Sequence, residues 1–296
     1  MNKNGKLNDK IQIEFSNLKL IKNKYKFEIN EKISFHMQDS SKRKFLQISN
    51  IIALIITLII NGLSGIGIFN GKTVGEISDA YPNLFTPAGL TFSIWSVIYA
   101  FLIIFVFYQA RDVFKIQKEN IPYIEQISIY FILSCVFNSA WIIVWLYGFI
   151  SLSLVIMLLL LLVLIILYLR LDIARADISK KDKIIVWTPF SLYLGWISIA
   201  TIANTTVFLV SINWDGFGIS PLVWTYIILI VAMILTLTVV YTRKDLIYPL
   251  VTIWASIGII IRRYDTYPEL VILALIIILI ISINLIYLRC KIFKKK

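Results

Sequence analysis

Three short stripes of aromatic and amide side chains stand out in this 296-residue chain. Trp95 with Tyr99, Asn138 with Trp141 and Trp145, and Trp196 with Ala200 and Asn204 recur at the spacings that put residues on one helix face. Indoles offer flat stacking faces and one N–H that wants an acceptor when buried. Amides offer both a donor and an acceptor. Together they suit a flat, mostly apolar ligand rather than nucleophilic or metal chemistry. The single His, His36, and the two isolated cysteines, Cys135 and Cys290, give no zinc or bis-His haem ligand set and no disulfide framework. No side-chain nucleophile is paired with a base. Two ordinary roles compete with ligand binding. Asn within a span is commonly helix-to-helix glue, and Trp145, Tyr147, Trp187, Trp214 and Trp224 stand near expected helix ends, where aromatic residues anchor to the interface.

The elements carrying these residues are membrane helices. Hydrophobic residues make up 59% of the chain, and the run 152–169 has no charge, which is long enough to cross a bilayer. Eight spans are expected: 50–69, 87–110, 123–147, 151–169, 184–210, 221–241, 246–261 and 269–288. With the N-terminus in the cytoplasm, every Lys and Arg except Lys72, Arg262 and Arg263 falls on one side. The positive-inside rule then puts both termini of a multi-pass cell-membrane protein in the cytoplasm. The net charge of +12 is thereby explained without nucleic acid. Arg262 and Arg263 follow the shortest span, which suggests a re-entrant segment or snorkelling to the headgroups. Residues 1–49, rich in Lys, Asn and Glu and ending in Lys42-Arg43-Lys44, read as a partly disordered basic tail on anionic lipid.

Local signals mark the boundaries. Thr86 before Pro87 reads as an N-cap with Pro at the first helical position. Ser179 to Asp182 has capping-box spacing, and Gly148 leaves almost no loop between the third and fourth spans. At about 1.5 Å per residue, Trp95 lies about 12 Å below Pro87, Asn138 about 13 Å below Tyr147, and Asn204 and Ala200 about 9 and 15 Å below Val210. All four fall in the outer half of the bilayer. A cavity walled by indoles follows if the three helices face one another.

The same residues carry a resemblance. Leu84-Phe85-Thr86-Pro87-Ala88-Gly89-Leu90-Thr91-Phe92-Ser93-Ile94-Trp95-Ser96-Val97-Ile98-Tyr99 resembles the second-helix signature of the tryptophan-rich sensory proteins, the family of the mitochondrial translocator protein. Phe137-Asn138-Ser139-Ala140-Trp141 resembles its third-helix motif, and Gly195-Trp196-Ile197-Ser198-Ile199-Ala200-Thr201-Ile202-Ala203-Asn204 its fifth-helix motif. The likeness covers roughly residues 50–213. Ala88 stands where the family has a second Pro, and Pro189-Phe190 displaces a Pro-Tyr, so the fifth helix is expected to start shifted or kinked. At the place after Asn204 where some members carry a sterol-recognition pattern there is no Tyr followed by a basic residue, while Leu164 to Arg170 and Leu285 to Arg289 satisfy the loose pattern elsewhere.

The resemblance implies an all-α fold: a five-helix bundle over 50–213 with a cavity beneath the loop 71–86, to which 214–296 adds three helices and a basic tail. It further implies porphyrin, haem or other flat aromatic ligands, with no required cofactor, and ligand contact by Trp95, Tyr99, Asn138, Trp141, Trp196, Ala200 and Asn204. Partners are then membrane lipids, a porphyrin-like small molecule and a second copy in a homodimer. A sensor or carrier fits best. The alternatives are a passive transporter of another small apolar molecule, a membrane scaffold, and a weak porphyrin-degrading enzyme. Apart from Glu125 and Glu269 at span ends, the spans hold no charge, which disfavours ion-coupled pumping. Residues 1–213 are expected to fold without the last three helices. In single-Cys labelling of intact cells, positions near Asp79 and Asp215 should react from outside and positions near Lys118 and Lys181 should not; the reverse pattern would overturn the topology.

Overall fold

The computed structural model describes residues 41–115 and 123–293. The expected tail up to residue 40, with His36, lies outside the described residues. By its contacts the chain divides into Met1–Leu46 and Gln47–Lys296, and the bundle is the second unit.

Long apolar runs become helices because lipid cannot satisfy a bare backbone. Helix α1 is Ser41–Gly65. The basic collar Lys42-Arg43-Lys44, expected in a disordered tail, is its first turn. A short helix α2, Val74–Asp79, follows, then a 3-10 segment, Gly89–Ser93, leading into α3, Ile94–Gln109. The expected third span is broken: α4, Tyr123–Ile127, and α5, Tyr130–Leu146, are separated at Ser128, whose φ is 46°. A turn through Gly148 (φ 76°) leads to α6, Ile150–Arg170.

Ser179 caps α7, Lys180–Asp182, by accepting from the Asp182 N–H, as its spacing suggested. A π-helical turn, Lys183–Trp187, then precedes α8, Thr188–Ser211. Pro189 has no N–H to give, and the wider turn takes up that break in the ladder, so the displaced Pro does distort the start of this helix. Helices α9 (Pro221–Arg243), α10 (Tyr248–Arg263) and α11 (Pro268–Phe293) complete the chain. Six helices among the described residues are long and apolar enough to cross a membrane; α5 is shorter, and α10 has 16 residues.

At about 1.5 Å per residue α10 is only about 24 Å long, yet it reaches both ends of the bundle. At its start, the Asp245 carboxylate accepts from Tyr168 near the end of α6 (2.8 Å) and from Ser191 near the start of α8 (2.7 Å). Its other oxygen accepts the N–H groups of Ile247 and Tyr248. At its far end, Arg262 and Arg263 bind residues 79–87, beside the α5–α6 turn where α2 sits. The re-entrant alternative is therefore not adopted. The arginines do not snorkel freely, because the preceding loop engages them.

Residues after 213 do not stand apart from those before. Phe85 and Ile199 share one buried cluster with Leu229, Ala232, Ala255, Ile259, Leu270, Ile277 and Ile281. Two glycines allow the close approach. A Cβ on Gly195 of α8 would meet the Val251 side chain at 3.0 Å, and one on Gly258 of α10 would meet Thr91 Oγ1 at 1.9 Å and Pro87 Cβ at 2.9 Å. Gly258→Ala should therefore lower stability by about 1–3 kcal/mol, the usual cost of overpacking. Gly62→Ala, where nothing lies within 4 Å, is the control. Thermal unfolding in detergent checks the pair; equal melting temperatures would contradict this packing.

Candidate ligand cavity

At the α2 end of the bundle, side chains from five segments enclose a cavity. Phe92 and Trp95 come from the 3-10 segment and the start of α3 that continues it, Trp141 and Trp145 from α5, and Trp196, Ile199, Ala200, Ala203, Asn204 and Val207 from α8; Val74 and Ser78 of α2 and the Thr86-Pro87 turn close it. The rings form a continuous series. Trp145 stacks on Trp141 (centroids 5.4 Å, 24°), Trp141 meets Trp95 edge-on at 5.9 Å, Trp95 meets Phe92 at 6.5 Å, and Phe92 meets Trp196 at 5.9 Å. Edge-to-face and offset pairs of this kind suit aromatic quadrupoles. The enclosed free volume is about 40 Å³. That is room for a few waters and far below the roughly 300 Å³ of a drug-sized site, so the rings hold the cavity nearly closed.

All but one of the fully buried polar side-chain atoms on the wall have a partner. Trp141 Nε1 donates to Asn204 Oδ1 at 2.9 Å, and Asn204 Nδ2 donates to Ser153 Oγ at 3.1 Å, tying α5, α8 and α6 together. Trp145 Nε1 donates to the Val74 carbonyl at 3.1 Å, which fastens α2 over α5. The exception is Trp196. Its side chain is 2% exposed, lines the cavity, and its Nε1–H has no partner. Among the described residues five other buried side-chain atoms also lack a hydrogen-bond partner, but none of them lies on this wall.

The roof is a capped helix. The Thr73 N–H and hydroxyl both donate to Glu76 Oε2, at 2.7 and 2.9 Å, and Thr73 Oγ1 accepts the Glu76 N–H. The backbone N–H of Thr73, then its hydroxyl, hold the Glu76 carboxyl below the usual range. Asn83 Oδ1 accepts from Phe85 N, Thr86 N and Thr86 Oγ1. Thr86 is thus committed to Asn83 and does not cap α3, contrary to the sequence reading; the helix entrance is the 3-10 segment, and Ala88 at its N-cap position makes no side-chain cap.

Of the residues singled out from sequence, Trp95, Trp141, Trp196, Ala200 and Asn204 meet at this cavity. Tyr99 and Asn138 do not line it. Asn138 Oδ1 accepts from Asn61 Nδ2 (2.9 Å) and Tyr99 OH, its Nδ2 donates to Tyr193 OH (3.0 Å), and Tyr99 OH donates to Asn61 Oδ1 (2.7 Å). This closed polar cluster joins α1, α3, α5 and α8. Spacing and depth placed Asn138 at the right level but left its partners open. Trp145, expected at the interface, is 3% exposed because α2 covers the end of α5. Sequence reasoning also missed Phe92, one turn before Trp95, and the roof residues Val74 and Ser78. Among the described residues no group of His, Cys, Asp and Glu could hold a metal ion.

Fold and site together define an all-α, multi-pass membrane protein with an aromatic cavity at one end of its bundle. A family model described as TSPO-like protein matches residues 47–287, and the chain belongs to that family. The match bears out the resemblance and extends it past residue 213 through α9 and α10 and into α11. No curated protein and no solved structure matched the chain.

Asn204→Ala removes the partner of Trp141 Nε1 and one partner of Ser153. It should destabilise the protein by about 0.6–2 kcal/mol, the range for a hydrogen bond between membrane helices. Thermal unfolding in detergent measures this, and native-like stability would show that Asn204 is not the joint between α5, α6 and α8.

Proposed function

We propose that the protein binds a flat, mostly apolar ligand of the porphyrin or haem type between its indoles, acting as a membrane sensor or carrier. The observation that carries this reading is the buried Trp196 N–H, without a partner on the wall of an aromatic cavity whose other fully buried polar side-chain atoms have partners. A ligand acceptor aligned with that N–H restores a hydrogen bond worth about 0.5–1.5 kcal/mol, and stacking on Trp95 and Trp196 adds a similar amount beyond area burial. Tyr99 and Asn138 act behind the wall and hold the helices. With the basic segments in the cytoplasm, the cavity end faces outward and both termini face inward. The bound state requires a larger cavity than about 40 Å³, so the roof must move or the rings must turn.

Protoporphyrin or haem titrated into the purified protein, read by Trp fluorescence with inner-filter correction, tests the reading. Saturable quenching is expected. Trp196→Phe keeps the ring contact and loses the N–H, so affinity should fall severalfold; Trp95→Phe should act similarly through stacking. Ala200→Leu fills the wall and should block binding by overpacking. Asn138→Ala should change stability more than affinity. Unchanged affinity in Trp95→Phe, Trp196→Phe and Ala200→Leu alike would remove the site, and quenching without saturation in the parent would remove the ligand class.

A further inference from the structure

We propose that Arg262 and Arg263, at the end of α10, form a clasp that keeps the α2 roof closed, and that releasing it admits ligand; the second part rests on the ligand-binding reading above. The roof is a helix of six residues, Val74–Asp79, that contributes Val74 and Ser78 to the cavity. On one side it is tied to α5, through Trp145 Nε1 to the Val74 carbonyl and through Asn70 Nδ2 to the Leu146 carbonyl at 3.1 Å. Asn70 (φ 58°) and Gly71 (φ 65°) are both left-handed, so the chain turns sharply just before the roof. On the other side α2 is held through its last residue: Arg262 Nη2 donates to Asp79 Oδ1 at 2.6 Å.

Arg262 joins two parts of the cavity rim. Its second arm donates to the carbonyl of Pro87 at 3.2 Å, and Pro87 lines the cavity opposite Ser78. Arg263 secures the intervening turn, with Nε on the Leu84 carbonyl at 3.2 Å and Nη2 on the Asn83 carbonyl. The cations thus close the arc from Asp79 to Pro87. Neither side of the ion pair is fully buried: Arg262 is 28% exposed and Asp79 58%. A pair so placed is weak and breaks readily, which suits a clasp rather than a permanent staple. The roof is therefore hinged at Asn70 and Gly71, fastened to α5 at Val74, and released at Asp79.

The test needs no ligand in its first arm. Full-length protein with Cys135→Ser, Cys290→Ser and Ser78→Cys, in phosphatidylcholine nanodiscs that leave both faces open, is reacted with a charged maleimide. Position 78 is buried, so labelling should be slow. Asp79→Asn, which alters only the more exposed partner, and Arg262→Gln should each speed it by up to about fivefold. The exchange Asp79→Arg with Arg262→Asp should restore part of the protection, because it re-forms the ion pair but not the bond to the Pro87 carbonyl, and a thiol introduced by Asp215→Cys should label equally in all backgrounds. Unchanged labelling in both single variants overturns the clasp. With porphyrin added, association measured by stopped-flow quenching should quicken in the same variants. Faster labelling with unchanged association retains the clasp and overturns its role in admission, whereas faster labelling with no saturable quenching in any background removes the ligand reading and the admission step while leaving the closed roof intact.

Discussion

The segment between the roof and α3 is irregular backbone ending in a 3-10 stretch and set against a membrane bundle, and the structure depends on how its free polar groups are satisfied. Lipid offers them nothing. Helix α10 supplies the partners: the Gly258 carbonyl accepts the Ala88 N–H at 3.0 Å, Trp254 Nε1 donates to the Thr91 carbonyl at 2.9 Å, and the two arginines take the carbonyls of Pro87, Leu84 and Asn83. Gly258 permits this, since any side chain there would occupy the place of Thr91. The turn Thr86-Pro87 forms part of the cavity wall, so a helix that contributes no indole to the cavity still fixes its shape.

The aromatic cavity follows from that frame. With the 83–91 segment held, α3 begins where Phe92 and Trp95 face Trp141 and Trp196. Asn204 links α5, α6 and α8 around the same space, and the Asn61, Tyr99, Asn138 and Tyr193 cluster links α1, α3, α5 and α8 behind it. The buried amides of Asn138 and Asn204 are both consumed by the scaffold. For the ligand proposed above, the wall offers ring surface and the fully buried Trp196 N–H, a pairing that would suit a flat molecule with an acceptor.

The spans were legible because uncharged apolar runs leave few alternatives to a helix, and five of seven expected site residues meet because helical stripes and depth constrain level and face together. Other features needed contacts between distant segments. Nothing local marks the break at Ser128. Trp145 has the position of an interfacial anchor and becomes a wall residue only because α2 covers it. Thr86 has the sequence of a cap, but Asn83 takes its hydroxyl. Arg262 and Arg263 looked like an exception to the charge bias because their partners, Asp79 and three loop carbonyls, lie about 180 residues away. The motif likeness stopped at residue 213 since α10 works through Trp254, Gly258 and Arg262 at i+4 spacing together with Arg263, a weaker pattern than a run of Trp and Asn.

The central claim is that α10 satisfies the backbone of the segment leading into α3 and thereby fixes the geometry of the cavity wall. Hydrogen–deuterium exchange of the full chain in nanodiscs, comparing the parent with Trp254→Phe combined with Arg263→Gln, measures this directly through local opening. Amides of residues 84–91 should exchange faster in the variant while those of α5 and α6 keep their protection. Unchanged exchange across residues 84–91 would contradict the account.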